Sequence, residues 1–74
     1  MSYKVSVVIE KDENGFYAYS PELDGCQSQG DTLEDVIGNI REAVGLYLET
    51  LTKTEKKTLL SREILSTSIE VKVA

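Results

Sequence analysis

The hydrophobic positions along this chain change their period twice. From Tyr3 to Lys11 they alternate with polar ones, placing Tyr3, Val5, Val7 and Ile9 on one face with only Val8 out of step. That is the pattern of a half-buried β-strand. Asp12-Glu13-Asn14-Gly15 interrupts it, and because Asn and Gly tolerate positive φ, a hairpin is expected to return the chain through a second strand, Phe16 to Ser20. Pro21 cannot donate to a ladder and closes that strand, and Asp24-Gly25 marks another turn. A short third strand, about Gly25 to Ser28, is expected next. Its polar Gln27 and Ser28, with Gln29 after them, suit a sheet edge.

Gly30-Asp31-Thr32 then breaks the alternation, and the period becomes helical. Leu33, Val36, Ile37, Ile40, Ala43, Val44, Tyr47, Leu48 and Leu51 keep the i, i+3, i+4, i+7 spacing, which predicts a long amphipathic helix. Asp31 or Thr32 is its expected N-cap, with Glu34 and Asp35 in the first turn, where the helix dipole favours negative charge. Gly38 and Gly45 lie inside the helix at a cost of about 1 kcal/mol each relative to Ala. Seven residues apart, they share a face that either admits another backbone or meets solvent. Thr52 to Glu63 reads as a polar connection with one short helical turn around Glu55 to Leu60. After it Leu65, Thr67, Ile69, Val71 and Val73 alternate with Ser66, Ser68, Glu70 and Lys72, and a final strand is expected.

The predicted order is β-β-β-α-β, an α+β domain. If the first three strands form a meander, the helix returns the chain for a final strand parallel to strand one through a right-handed crossover. The sheet order is then 3-2-1-4, with the helix on one face and the other face open. Tyr17 and Tyr19 share a face of strand two, and parity alone leaves them either in the core or on the open face. The whole chain, 1–74, is expected to be a single domain.

Composition narrows the chemistry. With 74 residues, 41% hydrophobic and 28% charged, the chain is a folded domain at the lower size limit for a single core. A homo-oligomer, most simply a homodimer through an exposed edge at strand three or four or through the uncovered sheet face, is therefore expected. No apolar run reaches the roughly 20 residues of a membrane span, and Met1-Ser2-Tyr3-Lys4 leads directly into a strand without a leader, so the expected location is cytoplasmic. There is no histidine and a single cysteine, Cys26, so nucleophilic catalysis has no imidazole base and zinc no usual ligand set. Cys26 is expected to be a small buried or half-buried side chain after a turn, since no nearby base argues for a reactive thiol. The five glycines form neither phosphate-cradling spacing. Asp12 and Asn14 lack the further ligands of a calcium loop. No catalytic residue, metal or cofactor is expected.

The net charge of −5 conceals a gradient: residues 10–49 hold ten acids against two bases, a net of −8, whereas the rest of the chain is +3. An acidic surface repels phosphate backbones, which disfavours direct nucleic-acid binding and favours a basic protein partner. Glu22, Asp24, Asp31, Glu34 and Asp35 are the candidate contact residues, chosen on charge. The same carboxylates could instead hold metal ions for nuclease chemistry, although the helix dipole accounts for most of them.

Taken together, Val7-Val8-Ile9-Glu10-Lys11-Asp12, Gly15-Phe16-Tyr17-Ala18-Tyr19, Ser20-Pro21-Glu22-Leu23-x-Gly25-Cys26, Gly30-Asp31-Thr32-Leu33-Glu34-Asp35, Asn39-Ile40-x-Glu42-Ala43 and Leu46-Tyr47-Leu48-Glu49 resemble the HicB family of antitoxins. The resemblance spans roughly residues 3 to 50. It implies a partial ribonuclease-H-like fold and a binding function: neutralising a small basic HicA-like toxin that cleaves messenger RNA, by masking its RNA-binding and catalytic face. Many members of that family carry a C-terminal helix-turn-helix or ribbon-helix-helix domain for DNA binding. None is expected in this chain. The alternative to a toxin antagonist is a small oligomeric interaction or scaffold protein of the same fold.

Overall fold

A computed structural model describes residues 2–74. Its elements are β1 (Val8–Asp12), β2 (Gly15–Tyr19), β3 (Gln27–Gly30), α1 (Leu33–Glu49) and α2 (Lys53–Leu59). The three strands form an antiparallel meander in the order β1-β2-β3, so the α+β class and the 3-2-1 part of the expected order are present.

The hairpin turns one residue earlier than the Asn-Gly pair suggests. Glu13 and Asn14 form the turn, the Asn14 amide donates to Asp12 Oδ1 at 2.8 Å, and Gly15 opens β2 with φ of 131°. β2 stops at Tyr19 because the next residues close a loop of their own. The Ser20 amide donates to the Cys26 carbonyl at 3.0 Å, Leu23 to Ser20 at 3.3 Å and Cys26 to Leu23 at 3.0 Å. This loop turns Leu23 and Cys26 inward, and it delays β3 by two residues relative to the expected Gly25 start.

β1 also begins later than expected, at Val8 instead of Tyr3. Val8 faces Tyr19, so residues further upstream would have to pair with Ser20 and Pro21. The Ser20 amide is already committed to Cys26, and Pro21 has no amide to offer. Residues 3–7 are held by side chains instead: the Ser6 amide donates to Glu22 Oε1 at 2.6 Å, and Lys56 Nζ lies 5.3 Å from the centre of the Tyr3 ring.

Thr32 is the N-cap of α1, its hydroxyl accepting the Asp35 amide at 3.1 Å, with Glu34 and Asp35 in the first turn. Val36 and Ile40 are buried beneath the helix beside Ala18, Leu23 and Cys26, and Val5, Phe16, Ala43, Val44, Tyr47 and Leu48 surround them. At Gly38 and Gly45 an added Cβ would meet nothing within 4 Å, so both face open space. α2 is longer than the single turn expected. Thr52 and Glu55 form a reciprocal capping box, which satisfies two amides at once and starts a helix of seven residues. Leu59 and Leu60 then pack against the core.

The expected final strand is not formed within the chain. Residues 63–74 have no ladder partner, and beyond the half-buried Ile64 the large apolar side chains of that segment are exposed: Leu65 83%, Ile69 80%, Val71 67% and Val73 87%. Alternation specifies which side chains share a face but does not supply the neighbouring strand. The fourth place in the order 3-2-1-4 is therefore unfilled among the described residues. The segment lengthens the molecule to 49 × 28 × 18 Å with a Cα radius of gyration of 14.5 Å, against about 11 Å for a fully condensed chain of this length. Among the described residues, no helix is long and apolar enough to cross a membrane.

Candidate functional site

Cross-strand partners share a face of a sheet, so the ladder register sorts the strand residues. Ala18 is buried under α1 and pairs with Ile9 and Ser28, which puts these three on the helix side. The other face carries two rows, Glu10–Tyr17–Gln29 and Val8–Tyr19–Gln27. Tyr17 and Tyr19 thus belong to the open face. Their ring centroids are 5.9 Å apart at 35°, and Tyr17 Oη donates to Gln27 Oε1 at 2.8 Å. Aromatic side chains held in a polar frame on an uncovered face form a surface suited to protein contact.

At the hairpin end this face runs into a polar depression of about 660 Å³, shared by β1, β2, β3 and the start of α1. Asp12, Asn14, Tyr17, Gln29, Asp31, Asp35 and Asn39 line it along with Gly15, Phe16 and Gly30. Its geometry is set by the backbone around two glycines. A Cβ on Gly15 would lie 2.9 Å from the Gly30 carbonyl oxygen, and one on Gly30 would lie 2.7 Å from the Val36 amide nitrogen. The absence of both side chains lets the hairpin, the end of β3 and the first turn of α1 meet. Asn39 Nδ2 ties the helix to β3 by donating to the Gln29 carbonyl at 2.8 Å.

Of the acidic residues chosen on charge, the structure brings Asp31 and Asp35 together at this depression and adds Asp12. Glu34 is exposed on the first turn of α1 but does not line it. Asp24 is exposed at the Gly25 turn, beyond the Tyr19–Gln27 end of the sheet and so opposite the depression. Glu22 is 4% exposed and accepts the Ser6 amide, which makes it part of the scaffold. Charge alone carries no signal for that burial, because the inward turn of the 20–26 loop creates it. Glu10, Asp12 and Tyr17 were absent from the charge-based set. Their signal lay in the parity of β1 and β2 once the hairpin turn is set at Glu13-Asn14.

Among the described residues, no three His, Cys, Asp or Glu side chains group closely enough to hold a metal ion. Cys26 is buried, and desolvation pushes its thiol above its ordinary pKa, disfavouring the reactive thiolate.

The HicB-like antitoxin profile of bacterial toxin-antitoxin systems matches residues 5–71. The chain is 43% identical over 70 residues to a UPF0150 protein of Helicobacter pylori strain J99, covering 95% of this chain and 97% of that protein. A UPF0150 protein of Archaeoglobus fulgidus is 36% identical over 70 residues, with 93% and 96% of the two chains covered. A UPF0150 protein of Thermoplasma acidophilum is 44% identical over 55 residues, with 73% and 80% covered. No solved structure matches the chain significantly. The profile extends beyond the sheet and α1 into α2 and the alternating C-terminal segment, and on that extent of agreement the chain belongs to the HicB-like antitoxin family of bacterial toxin-antitoxin systems.

Proposed function

We propose that this chain is an antitoxin that binds a small basic HicA-like toxin and masks the surface with which that toxin holds and cleaves messenger RNA. The observation that carries the reading is the junction of the acidic depression, with Asp12, Asp31 and Asp35 on its wall, and the open face bearing Tyr17 and Tyr19. A basic RNA-binding face expects phosphates, and a row of carboxylates offers it competing negative charge. The tyrosines supply contact area at small conformational cost. Asp24 and Glu34 contribute to the wider negative field without lining the depression. The chain acts by occupancy and not as an enzyme, in a cytoplasmic setting, with no direct hold on nucleic acid.

The test is co-expression with the small basic product of the neighbouring gene. Co-purification of the two proteins and restored growth support the reading, and failure of both refutes it. The Asp12→Asn, Asp31→Asn, Asp35→Asn triple variant is expected to slow association about tenfold or more at low salt and to flatten the salt dependence. Magnesium-dependent RNA cleavage by this chain alone, abolished by Asp31→Asn, would favour a nuclease instead.

A further inference from the structure

Helix α1 does not lie centrally on the sheet. It packs on β3 and β2, so the helix side of β1 is left with an open, mainly apolar groove of about 450 Å³. Val5, Val7 and Ile9 line it from the sheet, and Ile37, Val44 and Leu48 from the helix. Val7, Ile9 and Ile37 remain 38%, 37% and 37% exposed. β1 is also an edge strand, laddered only to β2. A free edge beside an apolar groove is the receptor that strand addition uses.

The chain itself carries a segment of matching form. Leu65, Ile69, Val71 and Val73 project on one side of the C-terminal alternation, with Ser66, Ser68, Glu70 and Lys72 on the other. Its nine residues extend about 30 Å as a strand, comparable to the run from Tyr3 to Asp12. It does not occupy the groove of its own chain. Arg62 Nη2 donates to the Pro21 carbonyl at 2.8 Å, rooting the segment at the β2–β3 loop, and beyond that point its apolar side chains lie in solvent.

We infer that the groove is filled by the Leu65–Val73 segment of a second copy of this chain, which pairs with the free edge of β1 and receives the first chain's segment in return. The exchange is reciprocal about a twofold axis and leaves neither tail unpaired. It completes the sheet order 3-2-1-4 between chains instead of within one. The apolar side of the segment faces the groove, its polar side faces water, and the β1 edge of each chain is covered. The occupant is identified by the segment's own alternation and exposure, so the inference stands apart from the toxin-binding reading.

Sedimentation of the full chain across a concentration series tests it. Wild type is expected to sediment as a dimer of the 8.2 kDa chain. The Ile69→Asp, Val71→Asp variant places two carboxylates where the segment would be buried and is expected to raise the dimer dissociation constant about 100-fold or more. Its helical circular dichroism signal should be retained, because no residue of the segment belongs to the core of its own chain, while the strand signal falls with the lost pairing. Ile37→Asp damages the groove and keeps the segment, so it should also be monomeric. Mixing the two variants should restore a heterodimer held by one exchange. A wild-type monomer throughout the series overturns the inference, as does a tail variant that dimerises normally. A monomer whose Leu65–Val73 amides resist hydrogen exchange overturns it in favour of the chain's own segment folding back.

Discussion

Replacing Gly30 with alanine tests whether the acidic depression depends on a bare backbone contact. The added methyl would sit 2.7 Å from the Val36 amide nitrogen, 2.9 Å from Asp35 Cβ and 3.0 Å from the Asp35 carbonyl carbon. Two of these are main-chain atoms in the first turn of α1, so no rotamer change relieves them. Overpacking of this kind costs about 1 to 3 kcal/mol, and the smaller unfolded-state entropy of alanine returns about 0.4 to 1 kcal/mol. From the midpoints of these ranges the net loss is about 1.3 kcal/mol, a large share of the roughly 4 to 11 kcal/mol available to a chain of this length. Tm should fall by about 5 to 10 °C. Gly38→Ala is the matched control: it meets open space, and helix propensity predicts a gain of about 1 kcal/mol. Far-UV circular dichroism melts at one protein concentration compare the two fairly, since self-association makes Tm concentration-dependent. A Gly30→Ala protein that melts at or above the wild-type temperature would refute the close approach of β3 and α1.

Three further outcomes are expected. Glu22→Ala removes the acceptor of the Ser6 amide and should lower stability by about 1 to 3 kcal/mol in urea titration, with Glu22→Gln recovering part of the loss; an unchanged midpoint for Glu22→Ala would show that Glu22 does not anchor residues 3–7. Ser20→Ala deletes a buried hydroxyl without a hydrogen-bond partner and should be neutral or stabilising by up to about 1 kcal/mol, measured in the same titration. Cys26 should alkylate with iodoacetamide far more slowly in the folded chain than in urea. Because burial raises its folded-state pKa, its contribution to stability is full below the unfolded thiol pKa and is lost as pH rises through the folded one. Stability should therefore decline on the alkaline side of the unfolded thiol pKa, and Cys26→Ala should weaken that decline.

Local chemistry made much of the fold legible. The Thr32 cap, the acids of the first turn and the Val36–Ile40 stripe identify α1, because all three act within a few residues of one another. Tyr17 and Tyr19 resisted assignment because Phe16, Tyr17, Ala18 and Tyr19 are apolar on both sides of β2. Only the pairing of Ala18 with Ile9 under the helix separates the faces. For the site, adjacency in sequence was misleading. Asp24 and Asp31 are seven residues apart yet lie at opposite ends of the sheet, because β3 runs between them, whereas Asp12 reaches Asp31 through the hairpin. The C-terminal segment shows the same limit from the other side: its strand chemistry is plain, but a strand exists only where another strand meets it.

The contact between Gly15 and Gly30 has a consequence for association kinetics. Because the hairpin tip abuts the end of β3, and β3 in turn abuts the first turn of α1, Asp12, Asp31 and Asp35 ride on parts that move together. The wall of the depression is preorganised, so a partner need not collect these carboxylates from independently wandering loops, and less of the encounter energy goes to ordering them. On the proposed function, such preorganisation favours rapid capture of the partner.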